Sequence, residues 1–281
     1  YNYFMEYLLL GHIAGSFGLD GTLKIISTTS FQDKRYVKGN KIYLGEEKKI
    51  LTVASFRAGG KFDFLKVEEI IFATSCNAYF CWGLYHMIGA RKKYGSVQNA
   101  MATWRDYMVS MGFGYPLGVD LPGEKRGMIP NDKYYDKNYN GSWNGLTIIS
   151  IAIGQGEVTA TPLQIANLGA TIANRGYFIT PHVVKEVEDE ALDSLYTTKR
   201  YTKVRKEHYE TVVQGMRAAV TGGTCRAANL PGLDVCGKTG TAQNRGKDHS
   251  AFMGFAPMND PKIAVAVYVE NGGWGATYGV P

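Results

Sequence analysis

Lys238-Thr239-Gly240-Thr241 closes an apolar run that begins at Leu233-Asp234-Val235. In an extended strand alternate side chains share a face. Lys238 and Gly240 then point one way, Thr239 and Thr241 the other. Two hydroxyls and an ammonium beside an accessible strand edge make a carboxylate-binding strip. Gly240 lets a ligand backbone approach closely, because no side chain stands in the way. Taken alone the KTG string says little, since three-residue strings are common. Far upstream, Ser75-Cys76-Asn77 stands just before an apolar helical pattern. A Ser and an Asn at that place also suit plain N-capping of the helix.

Other chemistry finds little footing. The four cysteines (Cys76, Cys81, Cys225, Cys236) form no CxxC pair, and the five His are scattered, so neither a metal site nor a cofactor is expected. Cys225 and Cys236 flank a short loop containing Pro231 and Gly232. The spacing suits a disulfide, and it equally suits two separately buried thiols. A net charge of +6 spread along 281 residues is too diffuse to argue for nucleic acid. With 45% hydrophobic and 20% charged residues, disorder, collagen and coiled coil are excluded for the bulk of the chain. No apolar run approaches the roughly 20 residues of a membrane helix, and none makes a signal peptide core.

The elements that must position these residues fall into two textures. Residues 5–69 read as short strands: Tyr7–Ile13, Thr22–Ser27, Lys41–Leu44, Ile50–Phe56 and Phe62–Val67, separated by Gly-rich turns. Strands at this spacing predict a small antiparallel β-barrel with no helix. From about residue 70 the pattern becomes α+β. Helices are predicted over Ala78–Lys93 and Val97–Met111, then a long connection over Phe113–Gly145. The aromatic run within it, 133–143, reads as a surface loop anchored by a few rings. Thr161, Pro162 and Gln164 spell a helix start with a capping box, ending near Asn174 with Gly176 as the stop. A strand over His182–Val187, solvated charge runs, and a helix over Glu207–Thr221 follow. Three strands, Asp234–Thr239, Ala251–Ala256 and Ile263–Val269, close the chain.

S-x-N followed far downstream by K-T-G-T resembles the motif set of penicillin-recognising serine acyl-transferases. The segments 117–124 (LGVDLPGE), 154–164 (GQGEVTATPLQ) and 237–243 (GKTGTAQ) are similar to those of class B penicillin-binding proteins, in particular the elongation-type group of penicillin-binding protein 2. The resemblance covers about residues 72–281. It implies a D,D-transpeptidase of peptidoglycan whose partners are stem peptides and β-lactams, working at the cell envelope on the periplasmic side of the inner membrane. It assigns proton relay to Ser75, amide binding to Asn77 and the positive potential to Lys238. Thr239, Gly240 and Thr241 would bind the substrate carboxylate, and the Thr241 N–H would form half of an oxyanion hole. The family's S-x-x-K nucleophile has no counterpart, because no Ser in the chain is followed by Lys three residues later. The expected fold is therefore a truncated transpeptidase, also short of the family's last helix and catalytically incomplete.

Residues 10–24 (LGHIAGSFGLDGTLK), with Phe56-Arg57 and 65–68, resemble instead the N-terminal barrel of RimM-type ribosome maturation factors. Over about residues 6–69 that likeness implies a cytoplasmic binding module for a small-subunit ribosomal protein. Two such halves in one chain predict a junction at about residues 68–73, which a chimera, a mis-assembled reading frame and a genuine fusion would each explain.

Overall fold

The computed structural model describes residues 8–17, 22–44, 49–67 and 75–280. Strands β2 (Thr22–Ser27), β3 (Lys41–Leu44), β4 (Lys49–Arg57) and β5 (Asp63–Val67) lie close to their predicted places, while β1 (Gly11–Phe17) starts four residues later than expected, because pairing with β2 carries it on to Phe17. They form an antiparallel sheet in the order β1-β2-β5-β4-β3 over a core of Ile25, Leu51, Val53, Leu65 and Val67. A one-turn helix, α1 (Gln32–Arg35), brings Tyr36 into the same core. The sheet is open: among the described residues no ladder joins β1 to β3. The closed barrel expected from the strand spacing is not formed. Closure needs strands long enough to tilt and stagger, and β3 has only four residues. The expected junction falls in residues 68–74, outside the described residues.

Helices α2 (Asn77–Gly89), α3 (Arg91–Tyr94) and α4 (Val97–Ser110) follow. The single helix expected over 78–93 breaks at Ala90, whose backbone leaves the helical region at φ −77°, ψ 62°. Gly89, a poor helix former, stands just before the break. Ser96 caps α4 by accepting from the Asn99 N–H. The long connection contains one helix that sequence patterning does not find, α5 (Asp132–Asn138), capped by Asn131. It exists to seat aromatic residues. Tyr135 and Trp143 are buried with Leu84, Ile88, Met101 and Ile148. Their polar atoms are satisfied, Tyr135 Oη by Glu157 (3.0 Å) and Trp143 Nε1 by Asp136 (2.7 Å). The aromatic run is thus an anchor, as expected.

The rest of the connection is pinned by carboxylates and one amide. Glu124 accepts from the N–H groups of Leu117, Gly118 and Val119. Asp120 accepts from those of Val183 and Val184, which holds its carboxyl below the usual aspartate range. That bond also explains a missing element. The strand expected over His182–Val187 does not form, because two of its ladder donors are already taken by Asp120.

Helix α6 (Pro162–Ala173) starts where predicted, with the full Thr161/Gln164 capping box. A short hairpin pairs β6 (Tyr177–Phe178) with β7 (Arg200–Tyr201). Helix α7 (Lys206–Thr221) leads to a second antiparallel sheet of β8 (Cys236–Ala242), β9 (His249–Ala256) and β10 (Ile263–Val269), ordered β10-β9-β8. Helices α6 and α7 cover one face of that sheet over Ile172, Val213, Met216, Cys236, Met253 and Phe255. A final turn, α8 (Gly275–Tyr278), lies against β8 and β9. The fold is mixed: helices packed on an antiparallel sheet, with a separate open sheet ahead of them. Among the described residues no helix is long and apolar enough to cross a membrane.

Gln164 is the tie between these parts. It is fully buried, completes the cap of α6, and donates to the carbonyls of Tyr115 and Arg126. Replacing it by Ala strands two buried carbonyls and undoes half the capping box. Gln164→Ala is expected to cost about 2–4 kcal/mol in a denaturant titration. Gln164→Glu is expected to cost at least as much, because it turns a carboxylate toward those carbonyls.

Candidate active site

Strand β8 is the edge of its sheet, and its outer edge forms the site. Residues 236–242 pair with 255–249 without a bulge. Each strand residue directs its N–H and C=O to the same side. Thr239 and Thr241 direct theirs outward: the Thr239 carbonyl accepts from Lys238 Nζ at 2.9 Å, and the Thr241 carbonyl from Gln155 Nε2 at 3.0 Å. The strand lies flat because glycines leave room for one ring. A Cβ on Gly237 or Gly254 would meet the Phe252 ring at 2.5 and 2.7 Å. Phe252 packs on the far side against Ala219, Val220 and Cys225.

The key contact is long-range. Lys238 Nζ donates to Ser75 Oγ at 2.7 Å, across 163 residues of sequence. Burial pushes the Lys238 ammonium below its ordinary pKa, with Cys225 acting weakly the other way. Ser75 occupies left-handed backbone, φ 55°, at the turn into α2. Its neighbour Cys76 is buried against Ala54 of β4, so the open sheet props the turn. This decides between the two sequence readings of Ser75. Cys76 stands at the N-cap with no side-chain capping bond, while the Ser75 hydroxyl faces Lys238. Asn77 is exposed in the first turn of α2. Among the described residues no bond joins it to β8.

The threonines differ. Thr239 Oγ1 donates to Thr224 Oγ1 at 2.9 Å, so it is held by the loop after α7. Thr241 is exposed, and its Oγ1 accepts from the Gly275 N–H at 3.1 Å. An accepted bond there leaves its own O–H free to donate to a ligand. Gly240 is where the chain comes closest: a Cβ on Gly275 would sit 2.1 Å from the Gly240 carbonyl. Cys225 Sγ accepts from Thr239, and burial raises its pKa. Cys236 lies in a different cluster, against Met253 and Phe255, and burial pushes its thiol up to about 12. Both are free thiols. The candidate bridge is absent, since the loop places the two on unlike surroundings: Cys225 behind Thr239, Cys236 under the helices. Among the described residues no acidic, His or Cys cluster suits a metal ion.

Gln155, Thr224 and Gly275 are site residues that sequence reasoning does not assign, and Cys225, read there as a disulfide candidate, instead takes the Thr239 N–H. Only Gln155 carried a signal, as the second residue of the GQGE segment.

An edge strand ending in K-T-G-T, with its lysine hydrogen-bonded to the Ser of S-x-N, defines a penicillin-recognising acyl-transferase fold. The family model "Penicillin binding protein transpeptidase domain" matches residues 5–280, and the chain belongs to that family. It is 33% identical over 230 residues to the peptidoglycan D,D-transpeptidase MrdA of Acinetobacter baumannii, covering 72% of this chain and 31% of that protein. It is 32% identical over 221 residues to penicillin-binding protein H of Bacillus subtilis, covering 70% and 30%. The chain thus spans about a third of the curated relatives it matches. Among solved structures it resembles Pseudomonas aeruginosa PBP2 in complex with WCK 5153, with TM-score 0.63, 28% identity, and coverage of 86% of this chain and 50% of that one. It also resembles Helicobacter pylori PBP2 in complex with MreC, with TM-score 0.60, 25% identity, and coverage of 88% and 44%. The family match runs through the segment that resembles RimM-type factors, and these relatives lend that resemblance and its ribosomal partner no support.

Two expectations follow from the contacts. Ser75→Ala removes an acceptor from the charged form of Lys238, so the Lys238 pKa is expected to fall further, read from the lysine 13Cε shift against pH. Gly275→Ala forces a methyl into the Gly240 carbonyl and is expected to unseat α8 from β8. The Thr241 and Gly240 amide resonances would then move while those of α4 stay put.

Proposed function

We infer that this chain carries the substrate-holding half of a peptidoglycan D,D-transpeptidase site of the penicillin-binding protein 2 type. The observation that carries the reading is the Lys238–Ser75 hydrogen bond at 2.7 Å, beside an open strand edge. A stem peptide ending in D-Ala-D-Ala would lie along β8 as an added strand. Its carboxylate would take the Thr241 hydroxyl and the Lys238 field. The Thr241 N–H, directed outward with its carbonyl, would face the oxygen of the scissile carbonyl. Ser75, sharing its hydroxyl with Lys238, would pass a proton to the departing nitrogen. Asn77 would bind the peptide amide from the exposed first turn of α2. A β-lactam presents the same carboxylate and carbonyl. The setting for such a reaction is the cell wall, on the outer side of the inner membrane.

Acylation itself is a separate matter. It requires a serine activated by a neighbouring lysine, and no Ser in the chain is followed by Lys three residues later. The chain by itself is therefore read as catalytically incomplete: it holds the ligand and does not acylate.

Incubation with a fluorescent penicillin, read by intact mass, is expected to give no stoichiometric acyl adduct. A stoichiometric adduct mapped to any serine would overturn the incompleteness. Binding of an N-acylated D-alanyl-D-alanine peptide, followed by NMR, is expected to weaken on the alkaline side. The favourable charge is present while Lys238 is protonated and is lost as pH rises through its pKa. Burial sets that pKa below 10.5, so the midpoint is expected below the ordinary lysine value. A midpoint at or above 10.5 would remove Lys238 from the ligand site.

A further inference from the structure

The outer edge of β8 is already occupied at two places. Around Thr239 it is closed by the chain itself: Lys238 Nζ fills the Thr239 carbonyl, and Cys225 Sγ accepts from Thr239. Two residues on, the Thr241 carbonyl is filled by a side chain from a distant loop, the carboxamide of Gln155, 86 residues away in sequence. The two occupants differ in permanence. The Lys238 ammonium and the Cys225 thiol are held in the interior by packing and by further bonds to Ser75 and Thr224. Gln155 reaches Thr241 through one exposed hydrogen bond, from a loop between two left-handed glycines, Gly154 at φ 70° and Gly156 at φ 68°.

We propose that Gln155 is a gate on the peptide groove: its carboxamide imitates a peptide N–H on the Thr241 carbonyl, and an incoming extended peptide must displace it. The proposal rests on the peptide-binding reading above. An added strand uses the outward N–H and C=O of one residue together. Thr241 is where β8 offers such a pair clear of the Cys225 loop, so a ligand that bonds the Thr241 N–H brings its own amide N–H against the same carbonyl. Gln155 sets a cost of entry that is common to all ligands, and the ligand's own atom at that place decides whether the cost is recovered. A ligand with an amide N–H at that place regains the bond that Gln155 gives up. A ligand with an ester oxygen there loses it and sets two acceptors against each other. Being exposed, the bond exchanges with solvent, and giving it up costs about 1 kcal/mol, the net worth of one hydrogen bond.

The test is NMR titration of the whole chain with an N-acylated D-alanyl-D-alanine peptide and with its depsipeptide, which has an ester in place of the amide that pairs with Thr241. Wild type is compared with Gln155→Ala and Gln155→Leu. Removing the gate is expected to tighten peptide binding about five- to tenfold, the worth of one hydrogen bond no longer displaced. Gln155→Leu, which has no donor for the carbonyl and adds no charge beside the ligand's carboxylate, is expected to do the same. The Gln155 side-chain amide resonances are expected to move toward free-water positions as peptide saturates. The depsipeptide is expected to bind all three chains more weakly than the peptide does, and to gain by the same factor when the gate is removed. Equal or weaker peptide binding by Gln155→Ala, or an unmoved Gln155 amide at saturation, overturns the gate and leaves the peptide site standing. No binding of peptide by any of the three chains overturns both. Binding by the variants alone supports the gate in its strongest form.

Discussion

A lysine ammonium withdrawn from water is the constraint around which this structure is arranged. Lys238 is pushed below its ordinary pKa by burial, and a buried cation is costly unless polar atoms surround it. Here the polar atoms come from two sources: the Thr239 carbonyl beside it and the Ser75 hydroxyl from the other end of the chain. The second bond ties the S-x-N turn to the sheet. It also explains why Ser75 sits in left-handed backbone, a conformation that costs about 1 kcal/mol or more and persists only where surroundings enforce it. The hydrogen bond to the cation, the burial of Cys76 against Ala54 and the start of α2 all act on the same three residues.

What surrounds β8 follows from keeping that edge straight and reachable. Gly237 and Gly254 admit the Phe252 ring, which fills the space between sheet and α7. Gly275 brings its N–H onto the Thr241 hydroxyl from the other side. Gln164 holds the loops behind, and through them the GQGE turn from which Gln155 reaches the strand. The groove is closed near Thr239 and open at Thr241. On the proposed reading a ligand chain is thereby given a direction: its carboxylate end would sit at the Thr241 hydroxyl, and its body would run along the open edge.

Much of this was legible from residues alone, and the reason differs by element. The capping box at Thr161, the three closing strands and the five opening ones declare themselves through short-range patterns: N-cap chemistry, alternation and Gly-rich turns. Lys238, Thr239 and Thr241 were readable because a motif compresses a site into consecutive residues. Elements settled by distant contacts were not readable. Helix α5 hides inside a Gly- and Tyr-rich connection, since what selects it is the burial of Tyr135 and Trp143 against α2 and α4. The segment 182–187 has the residues of a strand, yet Asp120, more than sixty residues earlier, takes two of its N–H groups. The open sheet was misread as a barrel because strand spacing fixes the number of strands and says nothing about closure. Thr224 acts through a single side-chain bond to Thr239, of which local sequence carries no trace, and Gln155, though it stands in the GQGE segment, shows its bond to Thr241 only in the fold.

The arrangement also separates two tasks that a serine acyl-transferase must combine. Holding the ligand needs a straight edge, oriented donors and a cation, and each is supplied here by packing between α7, β8, β9 and α8. Breaking its amide needs an activated nucleophile, which depends on a lysine one helical turn away on the same helix face. The first set of contacts makes no use of the second. Lys238 is partnered by Ser75 and Thr239, the strand is supported by Phe252 and Gly275, and the groove is bounded by Cys225 and Gln155.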